Sequence, residues 1–212
     1  MEPEEKKESL KDEVLSFIKA FCISAVVILL FINFVAHPVT VTGRSMVPTL
    51  QDKDYGFTSI IATHFGKPER SQIVVFNVEE MKDGKMQKVQ LVKRIIGLPG
   101  ETVECKDDEI YINGEKLDES GYIDSSYRQE MIDTYGFFNK VQIKREDKDG
   151  NTTVETVDFD AVTLGEDEYF VMGDNRPISK DSRAEDIGPI TEEQIYGEGI
   201  MILFPFGNFG VK

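Results

Sequence analysis

Cysteine and histidine are scarce in this chain, and positive charge is outnumbered. The two cysteines, Cys22 and Cys105, lie far apart, one in an apolar run and one in a polar stretch. No disulfide framework is expected, and a domain of this size can rest on its core without one, inside the cell or out. Cys-x-x-Cys, His-Glu-x-x-His and Gly-x-Ser-x-Gly are all missing. Their absence removes the common thiol-redox, zinc-protease and α/β-hydrolase templates, and neither metal nor cofactor is expected. Of the two histidines, His37 sits beside the apolar run and His64 in the loop-like stretch 63–68, so a histidine-dependent serine triad fits poorly. Lys and Arg number 24 against 39 Asp and Glu, a net charge of −15 spread along the chain. Phosphate binding needs clustered cations, so nucleic acid is excluded as a partner and the acidity reads as solubility.

What is present begins with one long apolar run. Residues 20–36 (AFCISAVVILLFINFVA) carry no charge over 17 positions. As a helix they span roughly 26 Å, a little under the hydrocarbon thickness of a bilayer. Phe17 and Ile18 extend the run, Lys19 can snorkel, and His37-Pro38 is the expected stop. A cleavable signal sequence would have a shorter apolar region, and a buried core helix would show a polar face. The sequence therefore predicts a retained transmembrane helix at 17–36, a tail at 1–16 and an outer domain at 37–212. Lys6, Lys7, Lys11 and Lys19 precede the run, whereas only Arg44 and Lys53 follow closely. That asymmetry places the N-terminus in the cytoplasm and the domain outside.

About 175 residues remain beyond the helix, enough for one medium domain or for a core with an inserted lobe. Hydrophobic residues make up 40% of the chain and charged residues 30%, an ordinary globular balance. Strands are expected at 72–76 (QIVVF), 87–96, 169–172 and 199–204, with an edge strand at 38–41. Residues 109–117 read as a hairpin, because Asn113-Gly114 suits a type I′ turn. No strong amphipathic helix is expected after residue 37, so the fold class is mainly β. Residues of about 104–166 are more polar and loop-rich than their flanks and read as an inserted β-rich lobe, with 144–151 (KREDKDGN) as an exposed turn. Asn151-Thr152-Thr153 matches a glycosylation acceptor, a pattern short enough to arise by chance.

Three places combine glycine, proline and reactive side chains. The first is Gly43-Arg44-Ser45-Met46-Val47-Pro48, where irregular backbone presents a hydroxyl; taken alone it is also an ordinary polar turn. The second is Leu91-Val92-Lys93-Arg94-Ile95. In a strand, Lys93 shares a face with Leu91 and Ile95. Burial there lowers the amine pKa and makes it a general base, whereas a sheet-edge lysine would simply snorkel. The third runs from Gly173 to Arg183, dense in hydrogen-bonding groups; Asp181 and Arg183, two apart, share a face if extended, and the alternative is a solvated loop. A Ser-x-x-Lys spacing also occurs at Ser16 and Lys19, without the companion elements of penicillin-binding enzymes.

Together the three blocks resemble the signature boxes of bacterial type I signal peptidases. The matching strings are Gly43-x-Ser45-Met46-x-Pro48-Thr49-Leu50, Lys93-Arg94-Ile95-Ile96-Gly97-Leu98-Pro99-Gly100-Glu101 and Gly173-Asp174-Asn175-Arg176-x-x-Ser179-x-Asp181-Ser182-Arg183. The resemblance implies an antiparallel-sheet catalytic core of the kind shared with repressor-type Ser-Lys proteases. It implies Ser45 as nucleophile, Lys93 as base, Ser179 as the hydroxyl that orients the lysine, and Asp181, Arg183 and Asp174 as supports. It further implies Val39, Val41, Met46, Val75, Leu91 and Val92 as walls of the substrate pockets. The expected substrates are secretory preproteins cut at Ala-x-Ala-like sites, and the expected surroundings are a lipid bilayer close to the secretion machinery. Gly43 stands where some members carry a serine that completes the oxyanion hole, so the second oxyanion donor is open. A self-cleaving repressor-type protease and a non-catalytic membrane-anchored binding protein are the competing readings. The first lacks a reason for the apolar helix, and the second predicts that Ser45 and Lys93 lie far apart.

Overall fold

The computed structural model describes residues 10–82, 84–146 and 152–212. Lys6 and Lys7, residues 147–151 of the expected 144–151 turn, including Asn151, and the His64 side chain lie outside the described residues. Helix α1 (Leu10–Phe34) is 25 residues long and contains no glycine or proline. Its segment Glu13–Ile32 has a mean hydropathy of 2.6 and is 0% buried against the rest of the molecule, long and apolar enough to cross a membrane.

The helix starts earlier than expected and stops at Phe34, ahead of His37-Pro38. The Val35 N–H still bonds to Phe31 O at 2.9 Å, while Val35 O already accepts from Ile60 N at 3.0 Å. The chain thus passes directly into strand β1 (Ala36–Thr40), which pairs with β2 (Tyr55–Ser59). Pro38 therefore belongs to an edge strand, where a missing N–H is tolerated, and is not the helix stop. The helical turn α2 (Ala62–Phe65) follows.

Strands β3 (Ile73–Lys82) and β4 (Lys85–Gly97) form a long antiparallel hairpin that includes the two expected strands. Alternation sends their side chains to two cores. Val74, Phe76 and Val78 join Ile95 in one cluster, whereas Ile73 and Val75 join Met46, Leu50 and Ile202 in another.

The chain then enters the lobe. Strands β5 (Thr102–Lys106), β6 (Glu109–Ile112) and β7 (Glu115–Lys116) lead to helix α3 (Ser125–Tyr135), and strands β8 (Val141–Glu146), β9 (Thr152–Val157) and β10 (Val162–Thr163) close it. The β6–β7 turn has Asn113 at φ 51° and Gly114 at φ 82°, both left-handed as a type I′ turn requires. Helix α3 is not foreseen by the hydrophobic pattern, because none of its residues is buried and no apolar stripe exists. It is defined by its ends. Asp124 caps it by accepting from Ser126 N at 2.8 Å, and Gly136 at φ 83° ends it by donating to Ile132 O at 2.7 Å.

After the lobe come β11 (Glu168–Met172), β12 (Ile190–Thr191), β13 (Ile195–Phe204) and β14 (Gly210–Val211). The main eight-stranded sheet runs β1-β2-β13-β3-β4-β11-β12, with β14 on β13; β5, β6, β7 and β10 make a second sheet, and β8 with β9 a ribbon. The lobe is not a detached body. Its Val103, Cys105, Ile110, Ile112 and Leu164 form one cluster with Ile96, Phe170 and Met172 of the main sheet. The molecule is thus mainly β and antiparallel, with Cys22 and Cys105 both free.

Candidate active site

Ser45 sits in the loop between β1 and β2. The loop is held at both ends and from below. Val41 N donates to Asp54 O at 2.8 Å, Lys53 N to Val41 O at 2.9 Å, and the buried side chains of Met46 and Leu50 anchor it to the core. Gly43 adopts φ 92°, a conformation unfavourable to other residues. Within this frame Ser45 O accepts from Asn175 N at 3.0 Å, and among the described residues the Ser45 N–H has no partner. The Gly43 N–H, by contrast, is occupied by Asp52 Oδ1 at 2.8 Å.

Lys93 reaches the same point from β4, where it lies opposite Val74. Its residue exposure is 3%, so the snorkelling alternative is not what the fold adopts. Nζ lies 2.8 Å from Ser45 Oγ and donates to Val92 O at 3.0 Å. Burial first of all, with help from the Arg183 charge and against the opposing charges of Asp181 and Asp174, lowers the Lys93 amine to about 8. At pH 7 about one amine in ten is then neutral, against fewer than one in a thousand for a solvated lysine. The pair is chemically a hydroxyl beside a titratable base.

The third block packs behind this pair. Arg183 Nε and Nη2 donate to Asp181 Oδ1 and Oδ2, both at 2.8 Å, and Asp181 Oδ2 also accepts from Gly173 N at 2.9 Å. The Asp181–Arg183 pair forms as expected, although in a turn and not in a strand. Burial would raise the Asp181 carboxyl, but the Arg183 charge and hydrogen bonds hold it below the usual carboxylate range. Asp174 is fully buried and binds Arg94 bidentately at 2.8 and 2.6 Å, with Thr49 Oγ1 at 2.5 Å. Arg94 and Thr49 are not part of the expected site, because nothing in the local strings shows that residues 80 positions apart pair.

Ser179 lies at the site but makes no hydrogen bond to the Lys93 amine. Its Oγ is buried without a well-formed hydrogen bond among the described residues, and its electrostatic influence falls on the Asp181 carboxyl. The Lys93 amine is instead held by Ser45 and Val92. Ser179 packs closely on Gly173: a Cβ added there would overlap both Ser179 Oγ and Ser45 O.

A cavity of about 180 Å³ opens beside Ser45 and Lys93, between β1 and β4. Val39, Val41, Met46, Val75, Leu91 and Val92 all line it, so the expected pocket walls converge on one groove. His37 stacks on Tyr196 with ring centroids 4.9 Å apart. Ser16 and Lys19 lie exposed on α1, far in the chain from the other blocks. Among the described residues no cluster of three His, Cys, Asp or Glu side chains gathers to hold a metal.

Comparison with known proteins agrees across nearly the whole chain. The profile of the family described as "Signal peptidase, peptidase S26" matches residues 14–204. The chain is 39% identical over 208 residues to signal peptidase I of Bacillus amyloliquefaciens, covering 98% of this chain and 97% of that one. It is 38% identical over 200 residues to signal peptidase I S of Bacillus subtilis (strain 168), covering 94% of each. Among solved structures, the crystal structure of a signal peptidase I from Enterococcus faecalis is 34% identical, at a TM-score of 0.38, over 65% of this chain and 97% of that chain.

Proposed function

This chain belongs to the signal peptidase family, peptidase S26, and is a serine endopeptidase that removes signal peptides from secretory preproteins; we propose that Ser45 is its nucleophile and Lys93 its general base. The observation that carries the assignment is the 2.8 Å contact between Lys93 Nζ and Ser45 Oγ in a buried setting. The neutral amine takes the hydroxyl proton as Oγ attacks the scissile carbonyl. The Ser45 N–H, which has no partner among the described residues, donates to the developing oxyanion. The protonated amine gives its proton to the leaving amine, and the same base then activates the water that releases the acyl-enzyme. Asp181, Arg183 and Asp174 hold the third block against the pair.

The substrate lies extended along β1, an edge strand of the main sheet, with its small residues in the apolar groove. The apolar walls of the groove, Val39, Val41, Met46, Val75, Leu91 and Val92, suit the small apolar residues of Ala-x-Ala-like sites. Helix α1 is the anchor, with its N-terminus in the cytoplasm and residues 37–212 outside, a domain that carries the lobe of about 104–166. That arrangement sets the groove beside the lipid surface, where a preprotein emerging from the secretion machinery presents its cleavage site.

The test is cleavage of a purified preprotein by the full chain in detergent. Ser45→Ala and Lys93→Met are each expected to abolish turnover while circular dichroism and thermal midpoint remain those of a folded protein. Turnover by folded Lys93→Met would remove the dyad from the mechanism. A non-catalytic binding role is disfavoured by the same contact, which such a role does not require.

A further inference from the structure

Among the described residues the lobe contributes none to the substrate groove, yet it reaches the nucleophile's surroundings at three points. The first is direct: Tyr127, on α3, donates its hydroxyl to Val47 O at 2.9 Å, two residues beyond Ser45. The second is aromatic: the Tyr122 ring lies 4.3 Å beneath the guanidinium of Arg94, the partner of Asp174. The third is a buried ion pair. Arg176, in the third block, is 1% exposed, and Glu119, from the lobe, 6%. One face of the Arg176 fork donates to Glu119 Oε1 and Asn139 Oδ1, and Nε donates to Gly173 O at 2.9 Å.

Both lobe partners of Arg176 are themselves fixed. Tyr122 donates its hydroxyl to Glu119 Oε1 at 3.0 Å. Asn139 is pinned through its N–H to Asp108 Oδ1 at 2.7 Å and through its amide to Asp108 O at 2.9 Å. From Arg176 the connection continues inward. Gly173 donates to Asp181, packs without a side chain on Ser45 O, and is followed by Asn175, which donates to that same carbonyl at 3.0 Å.

A buried Arg–Glu pair is weak at adding stability, since desolvation offsets most of its attraction. Its strength is direction: a planar guanidinium with three fixed acceptors cannot rotate. Here the direction it fixes is that of the backbone on which the nucleophile's carbonyl rests. Burial would raise the Glu119 carboxyl, but the Arg176 charge holds it below its ordinary range, so the pair stays ionised. We propose that the inserted lobe is a brace for the catalytic loop, with Tyr127 and Glu119 as its positioning residues. The proposal rests on the assignment of Ser45 as nucleophile, and a displacement of about 1 Å at such an atom lowers the rate sharply.

The experiment measures steady-state cleavage of a preprotein by full-length Tyr127→Phe and Glu119→Gln in detergent, with thermal midpoints alongside. Tyr127→Phe deletes one hydroxyl and keeps the ring against Phe138. Its kcat is expected to fall about fivefold, and that of Glu119→Gln about tenfold, with KM within about twofold of the parent, as befits loss of positioning without loss of groove contacts. A structural role alone lowers the midpoint and leaves kcat of the folded fraction unchanged. Parent kcat in folded Tyr127→Phe overturns the brace, as does a rise in KM at constant kcat, which would make the lobe a substrate-binding part. If Glu119→Gln does not fold, Tyr127→Phe decides. Ser45→Ala run in parallel separates the two levels. Turnover by that variant refutes the nucleophile assignment, whereas a dead Ser45→Ala beside fully active lobe variants refutes only the brace.

Discussion

Replacing Lys93 by methionine should destroy activity and, at neutral pH, relieve the fold of a cost. The amine titrates near 8 in the folded chain against about 10.5 when solvated, because it is buried. Between those values the unfolded chain binds more protons than the folded one, so the parent's stability rises with pH across that window. Below about 8 both states are protonated and the full penalty is present; above about 10.5 it is gone. Each tenfold difference in proton affinity between the two states is worth about 1.4 kcal/mol, and integrating the linkage from pH 7 to pH 10 with these two pKa values gives about 2.5 kcal/mol. Other ionisable groups occur in both proteins and cancel in the difference. The stability of parent minus Lys93→Met should therefore rise by about 2.5 kcal/mol over that range, whatever its absolute value at pH 7. Urea unfolding of both full-length proteins in detergent, followed by circular dichroism at several pH values, measures it. A difference that does not change with pH would show that the amine is solvated, and the argument for a neutral base at Lys93 would fail with it. The same titration predicts kcat/KM rising about tenfold per pH unit below 8 and levelling above it.

Two further substitutions probe the support behind the pair. Gly173→Ala should lower kcat at least tenfold while leaving KM near its parent value, because the added Cβ would overlap Ser45 O and force the nucleophile's backbone away; steady-state kinetics on the folded variant checks it. Asp174→Ala leaves Arg94, 6% exposed, without its carboxylate, and should cost about 3–5 kcal/mol in urea unfolding.

The parts of the site that are legible from residues alone are those encoded in short local strings. Ser45 lies in a loop shaped by Gly43, and Lys93 in an apolar strand, and each announces its type within a few positions. The groove walls are legible for the same reason, since Val39 lies on β1, Val41 follows just past its end, and Val75 sits in a compact β run. What escapes depends on distant pairing. Arg94 follows Lys93 directly, and alternation sends it to the other side of the sheet, where it meets an aspartate 80 residues away. Helix α3 escapes because its stability comes from Asp124 and Gly136 at its ends and not from an apolar stripe. The resemblance gives Ser179 the orienting of Lys93, whereas the acceptors that the amine meets in the fold are Ser45 Oγ and the Val92 carbonyl.

The junction at Val35 has a mechanical consequence. A single residue separates α1 from β1, and its carbonyl is tied to Ile60. There is no slack tether about which the domain can swivel. With α1 in a bilayer, any tilt of the helix is carried straight into the edge strand, so the attitude of the groove to the lipid follows the tilt of the helix. Reorienting the groove towards a target then takes a movement of the helix itself.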